Sequence, residues 1–118
     1  MDSDKIKIEY KKEELLLSSK TEHVSLKRQL EYEQEKEECV IAIDILEDFE
    51  FIYYNLLSCF ECIDCNGKLK NKERVVEKFA SLELGIECIT NKIIVKQLKS
   101  ICRIQKRLFY FYDIAKIF

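Results

Sequence analysis

The sequence predicts an all-α protein, a compact bundle of four to five helices preceded by a long charged helical extension. The first observation is the scarcity of helix breakers, because the 118 residues include two glycines and no proline. The second is a helical repeat of apolar residues in the middle of the chain. The third is a change of charge, since residues 1–65 carry 8 basic and 17 acidic residues and residues 66–118 carry 12 and 5. Such a split indicates recognition of a charged partner more than catalysis.

Residues 1–38 are predicted to form a charged, helical or partly disordered arm in front of a bundle domain at residues 39–118. Leucines are scattered through the arm, and Leu16, His23 and Leu30 keep the seven-residue spacing of a coiled coil, with a histidine in the middle position. Five glutamates lie in residues 31–38, which is typical of a solvated segment and, as the second interpretation, of an acidic ligand for a basic surface. One hypothesis is therefore that residues 31–38 cover a basic face of the same chain until an acidic partner displaces them.

One apolar stripe predicts a helix that begins near Cys39. Its members keep a 3-4-3-4 spacing, and they are Ala42, Ile45, Phe49, Ile52, Leu56, Cys59 and Ile63. Neighbouring apolar residues widen the stripe, which predicts packing against a globular core. The same 42–63 seam is also a candidate for self-association. Asn66-Gly67 is expected to end the helix, because glycine readily adopts the left-handed conformation found there.

Further helices are predicted after this break. Asn71 is the expected N-cap of the first, Gly85 its expected end, and Thr90 or Asn91 the cap of the next. The last segment, residues 108–118, is apolar on all sides, which is typical of a helix buried between others. A terminal strand is the alternative for that segment.

The cysteines offer one arrangement with a chemical interpretation. Cys59, Cys62 and Cys65 have the spacing of thiolate ligands, so three of the four positions of a zinc site are present. A fourth ligand, which could be Cys88, Cys102 or the distant His23, would have to be brought in by folding. Free cysteine is commonly just buried, so reduced apolar side chains are the favoured interpretation. The sequence therefore predicts no metal and no cofactor.

An enzyme is not expected, because the chain has one histidine and no nucleophile or phosphate-binding motif. No apolar run reaches about 18 residues, which predicts no association with a membrane. The charged N-terminus differs from a signal peptide, so we expect an intracellular location, cytoplasmic or nuclear.

A basic stripe is the main candidate for partner binding. Lys92, Lys96, Lys99 and Arg103 are spaced by 4, 3 and 4 residues and share one helix face. A protein or peptide partner of acidic character is preferred over nucleic acid. The reason is that the aromatic residues are expected in the core and not between the basic residues of the surface. Two alternatives stay open. One is a small nucleic-acid-associated or ribosome-associated protein, and the other is a structural subunit that assembles through its N-terminal helices into a homo- or hetero-oligomer.

Residues 50–110 resemble the integrase-binding domain of lens epithelium-derived growth factor, within the wider family of N-terminal domains of transcription elongation factor TFIIS. The stretches that carry the resemblance are Ile63-Asp64, Arg74-Val75-Val76-Glu77, Phe79-Ala80-Ser81-Leu82 and Leu98-Lys99-Ser100-Ile101-Cys102-Arg103-Ile104.

The resemblance implies a right-handed helical bundle that acts as a transcription or chromatin adaptor and docks short acidic and aromatic peptides at two interhelical loops. By position it implies that Asp64 is the loop acid that accepts backbone hydrogen bonds. Ile104 would replace the aromatic residue of a second loop at residues 103–107, and Lys99 and Arg103 would be contacts of the basic face. The predicted partner-binding set is Asp64, Lys92, Lys96, Lys99, Arg103 and Ile104.

Overall fold

Four α-helices make up most of the residues that the computed structural model describes, which are 2–33, 36–62 and 68–117, with side chains at 3–33, 36–62 and 68–112. Helix α1 spans Asp2–Glu31, α2 spans Glu37–Glu61, α3 spans Lys72–Glu87 and α4 spans Lys92–Ile117. No strand occurs in these ranges, so the predicted all-α class is confirmed. A fifth helix is not confirmed, because the two segments expected after residue 91 form one continuous helix that contains neither glycine nor proline.

Helix α2 is the central element and packs against the other three helices. Its predicted stripe is buried as expected, with Ala42, Phe49, Ile52 and Leu56 at 0% exposure. Ile63, the last member, lies outside the described residues. The chain's own helices bury the described part of this seam, so self-association through it is not confirmed.

The second half of α1 packs into the same core. Leu15, Leu16, Leu26 and Leu30 are at most 5% exposed and belong to one cluster with the buried residues of α2, α3 and α4. Since this helix supplies part of the common core, the expected extension in front of the bundle is not confirmed.

A buried glutamine joins three helices. Gln105 of α4 is 1% exposed, and its Nε2 donates to Ser19 Oγ of α1 at 3.2 Å and to the Phe49 carbonyl oxygen of α2 at 2.9 Å. A second polar contact joins α1 to α2, where His23 Nε2 lies 3.0 Å from the Leu46 carbonyl oxygen. Burying an amide N–H group is costly unless it donates a hydrogen bond, so the two bonds of Gln105 Nε2 favour one arrangement of the three helices.

The cap predicted for α4 is confirmed. Asn91 Oδ1 accepts hydrogen bonds from the backbone N–H groups of Ile93 and Ile94, at 3.0 and 3.2 Å. Asn71 precedes α3 as expected but adopts a left-handed conformation with φ of 58°. Its side chain donates to Asn55 Oδ1 at 3.3 Å and does not cap the helix.

Gly85 lies within α3, so the prediction that it ends the helix is wrong. The helix continues to Glu87. A Cβ atom at position 85 would lie 3.0 Å from both Cγ1 and Cδ1 of Ile45. The glycine therefore permits a close approach of α3 to α2, which is a tertiary requirement and not a local one. The other predicted stop, Asn66-Gly67, lies outside the described residues.

Candidate functional site

The predicted basic stripe lies on the outer surface of α4. Lys92, Lys96, Lys99 and Arg103 are all exposed, while the opposite side of the helix buries the core residues Ile94, Leu98 and Ile101. In the described part of the chain, the stripe cations form no ion pair with a carboxylate. Their charge is therefore available to a partner.

A groove of about 810 Å³ runs between α3 and α4 beside this stripe. Its floor includes Ile86 of α3 and Cys102 of α4, which are 6% and 7% exposed. Tyr110 and Phe111 line it further along α4. Burial raises the pKa of the Cys102 thiol, which therefore stays protonated at neutral pH and acts as a small apolar contact. The groove thus offers an apolar surface to a ligand.

The rim of the groove is charged on both sides. Helix α4 contributes Lys99, Arg103, Lys106 and Arg107, and α3 contributes Glu83 and Glu87. Glu83 pairs with Lys106 across the groove, and the hydrogen bond between them raises the pKa of the Lys106 ammonium. Among the described lining residues, three cations and one carboxylate then remain without an ion pair. The groove is therefore net basic.

The partner-binding residues predicted from the sequence fall into three groups. Lys99 and Arg103 line the large groove, and they also line a smaller groove of about 480 Å³ together with Lys92 and Lys96. Asp64 lies outside the described residues. Ile104 is half-buried inside α4 and lines neither groove.

The resemblance implied a second interhelical loop at residues 103–107, and this prediction is wrong. Helix α4 is continuous through this stretch, because no glycine or proline interrupts residues 92–117. Lys106 and Arg107 belong to the expected loop and lie instead on α4, where they line the groove. The α3 side of the groove, Tyr110 and Phe111 were not among the predicted site residues. The spacing of Lys99, Arg103 and Arg107, at four and four residues, is the pattern that extends the stripe into the groove.

The cysteine arrangement is partly described. Cys59 is 7% exposed and its Sγ donates to the Lys68 carbonyl oxygen at 3.5 Å, whereas Cys62 is exposed. Cys65 lies outside the described residues, so the three-thiolate zinc site stays a hypothesis. The described residues contain no group of three or more histidine, cysteine, aspartate or glutamate side chains that could hold a metal ion.

The last residue of the acidic run at residues 31–38 is Glu38, which contacts the loop before α4. The Glu38 carboxylate accepts hydrogen bonds from the Thr90 backbone N–H, at 2.7 Å, and from the Thr90 hydroxyl. Glu33 pairs with Lys36 within the run at 3.4 Å. None of the described glutamates in this run pairs with a stripe cation, so the described residues do not show the hypothesised covering of the basic face.

The contact between Glu38 and Thr90 predicts pH-dependent stability. Hydrogen bonds from Thr90 hold the pKa of Glu38 below its ordinary value of 4.5. A carboxylate with a lowered pKa stabilises the fold above its ordinary pKa, and this contribution is lost as pH falls through the lowered pKa. We expect Glu38→Gln to lower Tm at neutral pH, with the difference disappearing in acid, where the wild-type carboxyl is also neutral. Thermal unfolding monitored by circular dichroism over a pH series measures this, with the exposed neighbour Glu37→Gln as control. A Tm difference that is the same at all pH values would contradict the prediction.

The described helices present their apolar residues mainly to one another. None of the helices in the described ranges is long and apolar enough to cross a lipid bilayer. Comparisons of the chain with protein-family models, with curated proteins and with solved structures find no match.

Proposed function

We propose that this protein is an interaction module that binds short acidic peptides with apolar anchor residues in the groove between α3 and α4. The observation that carries the proposal is the position of unpaired cations along the edge of an apolar trough. Either feature by itself is common on protein surfaces. Together they match a ligand that has carboxylates and apolar side chains in the same short segment.

The spacing of the cations constrains the ligand. Lys99, Arg103 and Arg107 follow one another at intervals of four residues, which corresponds to about 6 Å along the axis of α4. A bound helix would match them with acidic residues four apart, and an extended segment with acidic residues two apart. Apolar side chains of the same ligand would contact Ile86, Cys102 and Phe111.

A peptide is favoured over nucleic acid because the opposite rim is acidic. Glu87 has no ion pair in the described chain and would repel a continuous row of phosphates. A peptide can avoid that repulsion by placing a neutral or basic residue there. The transcription or chromatin adaptor that the sequence resemblance implies is the narrower form of this proposal, with disordered acidic and aromatic segments of such factors as ligands.

The proposal predicts that charge reversal on the rim abolishes peptide binding without unfolding the protein. The probes are fluorescein-labelled synthetic peptides in which glutamate alternates with phenylalanine or leucine, together with counterparts that carry lysine for glutamate. Fluorescence anisotropy should show that the acidic peptides bind and that their lysine-containing counterparts do not. We expect Lys99→Glu with Arg103→Glu to weaken it on the order of tenfold or more, since attraction is replaced by repulsion.

The matched control is Lys5→Glu with Lys7→Glu, which makes the same change of net charge at exposed positions of α1. This control should bind the acidic peptides as wild type does, and circular dichroism should show that both variants are folded. Equal loss of affinity in the two double variants would mean that only bulk charge matters. Unchanged affinity in the rim variant would place the binding site elsewhere, and either result contradicts the proposal.

A further inference from the structure

Helix α1 carries a stripe of exposed apolar side chains on the side away from the core. Ile6, Tyr10, Leu17 and Val24 are 68%, 71%, 67% and 39% exposed, respectively. Their spacing of four, seven and seven residues places them on one face. The leucines that α1 contributes to the core lie on the opposite face. Large apolar side chains aligned on one exposed helix face are typical of an interaction surface.

We propose that this surface binds a second copy of the same chain, with the two α1 helices antiparallel and a two-fold axis at Leu17. Tyr10 and Val24 are each seven residues from Leu17, so the axis places Tyr10 of one copy beside Val24 of the other. Leu17 then contacts its own counterpart. Each apolar side chain in the centre of the stripe therefore meets an apolar side chain of the partner copy.

Charge complementarity selects this arrangement. Glu13 and Lys20 flank the stripe on the same side, three or four residues from Leu17 in opposite directions. An antiparallel two-fold axis at Leu17 therefore places Glu13 of each copy beside Lys20 of the other. Both side chains are exposed, and neither has an ion pair within the described chain.

Parallel pairing in register would be less favourable. It would bring Glu13 of one copy beside Glu14 of the other, because these residues flank the stripe on its two sides at nearly the same height. Like charges so placed oppose association. The sequence of α1 therefore favours the antiparallel dimer over the parallel one.

The dimer leaves the groove between α3 and α4 uncovered. Helix α4 contacts α1 through Gln97, which bonds Gln29 at 3.2 Å, and through Gln105, which bonds Ser19 at 3.2 Å. Lys99 and Arg103 lie on the other side of α4. The apolar stripe of α1 is about 27 Å long between Ile6 and Val24 and belongs to a single helix. An interface of this kind is small for a stable dimer, so we expect a reversible dimer with a dissociation constant on the order of micromolar.

Sedimentation of the full chain over a range of concentrations tests this proposal. Wild type should pass from monomer to dimer as concentration rises, and Leu17→Glu should be monomeric throughout. Because Leu17 is exposed, this variant should fold, which circular dichroism checks. The matched control is Leu84→Glu on α3, which is 65% exposed and lies outside the stripe. It should dimerise as wild type does.

A charge exchange tests the antiparallel orientation. Glu13→Lys alone should weaken the dimer, and Glu13→Lys combined with Lys20→Glu should restore it. A chain that is monomeric at all concentrations, or a dimer that persists in Leu17→Glu, would overturn the proposal. A double variant as weak as the single one would overturn the antiparallel arrangement. Peptide binding by Leu17→Glu is expected to be normal, so failure of this proposal is distinguishable from failure of the proposed function.

Discussion

Replacing Leu26 with alanine should lower the free energy of unfolding by about 2–5 kcal/mol. Leu26 lies in α1 and is 1% exposed within the common core. The substitution removes buried methyl groups and leaves a cavity, which the surrounding helices can fill only in part. Chemical denaturation followed by circular dichroism at the helical band measures the change.

Leu17→Ala is the matched control, because it makes the same chemical change at a position of the same helix that is 67% exposed. Its effect should be within about 0.5 kcal/mol of wild type. The measurement should be made well below the concentration at which the chain dimerises. If Leu26→Ala were as mild as Leu17→Ala, α1 would not be part of the core. The same pair of variants therefore also bears on the predicted division of the chain at residue 38.

Replacing Gly85 with leucine should destabilise the protein by about 1–3 kcal/mol, although leucine is the better helix former. Intrinsic propensity favours the substitution by up to about 1 kcal/mol. Packing opposes it, because even a Cβ atom at position 85 would lie 3.0 Å from two carbon atoms of the Ile45 side chain. Ile45 is 3% exposed, so it has little room to move. We expect the steric cost to dominate, and the same denaturation measurement shows its size.

Two further variants isolate the contact with Ile45 from the other effects of adding a leucine side chain to α3. Ala80→Leu introduces leucine at an exposed position of α3 and should leave stability within about 0.5 kcal/mol of wild type. Ile45→Ala combined with Gly85→Leu should be more stable than the sum of the two single effects predicts, because the smaller residue makes room for the larger one. Strict additivity would show that the two positions do not interact.

How well each helix can be predicted from the sequence depends on how complete its apolar pattern is. Helix α2 has an apolar residue at every inward position, so its buried face could be predicted in full. In α1 the inward positions between the leucines are held by Ser19 and His23, which interrupt the pattern. Their hydrogen-bonding partners are Gln105 and the Leu46 carbonyl group, far away in sequence. A local pattern cannot reveal such partners, and this is why the sequence alone predicts an arm where the structure has a core helix.

The candidate site is likewise predictable only in part from the sequence. The cations of α4 could be predicted because their spacing alone places them on one helix face. The groove could not, because Ile86 and Glu83 come from α3 and are brought beside α4 by tertiary packing. The loop expected at residues 103–107 came from the resemblance and not from the residues themselves. Their composition, without glycine or proline, favours the continuous helix that the structure has.

The location of peptide binding tests the proposed function most directly. Backbone amide chemical shifts should be followed by heteronuclear NMR while the unlabelled acidic, phenylalanine-containing peptide is added to the full chain. We expect the shifts to concentrate at residues 83–87 of α3 and 99–111 of α4, and to disappear in the Lys99→Glu, Arg103→Glu variant. Shifts confined to α1 and α2, or equal shifts with the lysine-containing peptide, would contradict a basic peptide-binding groove between α3 and α4.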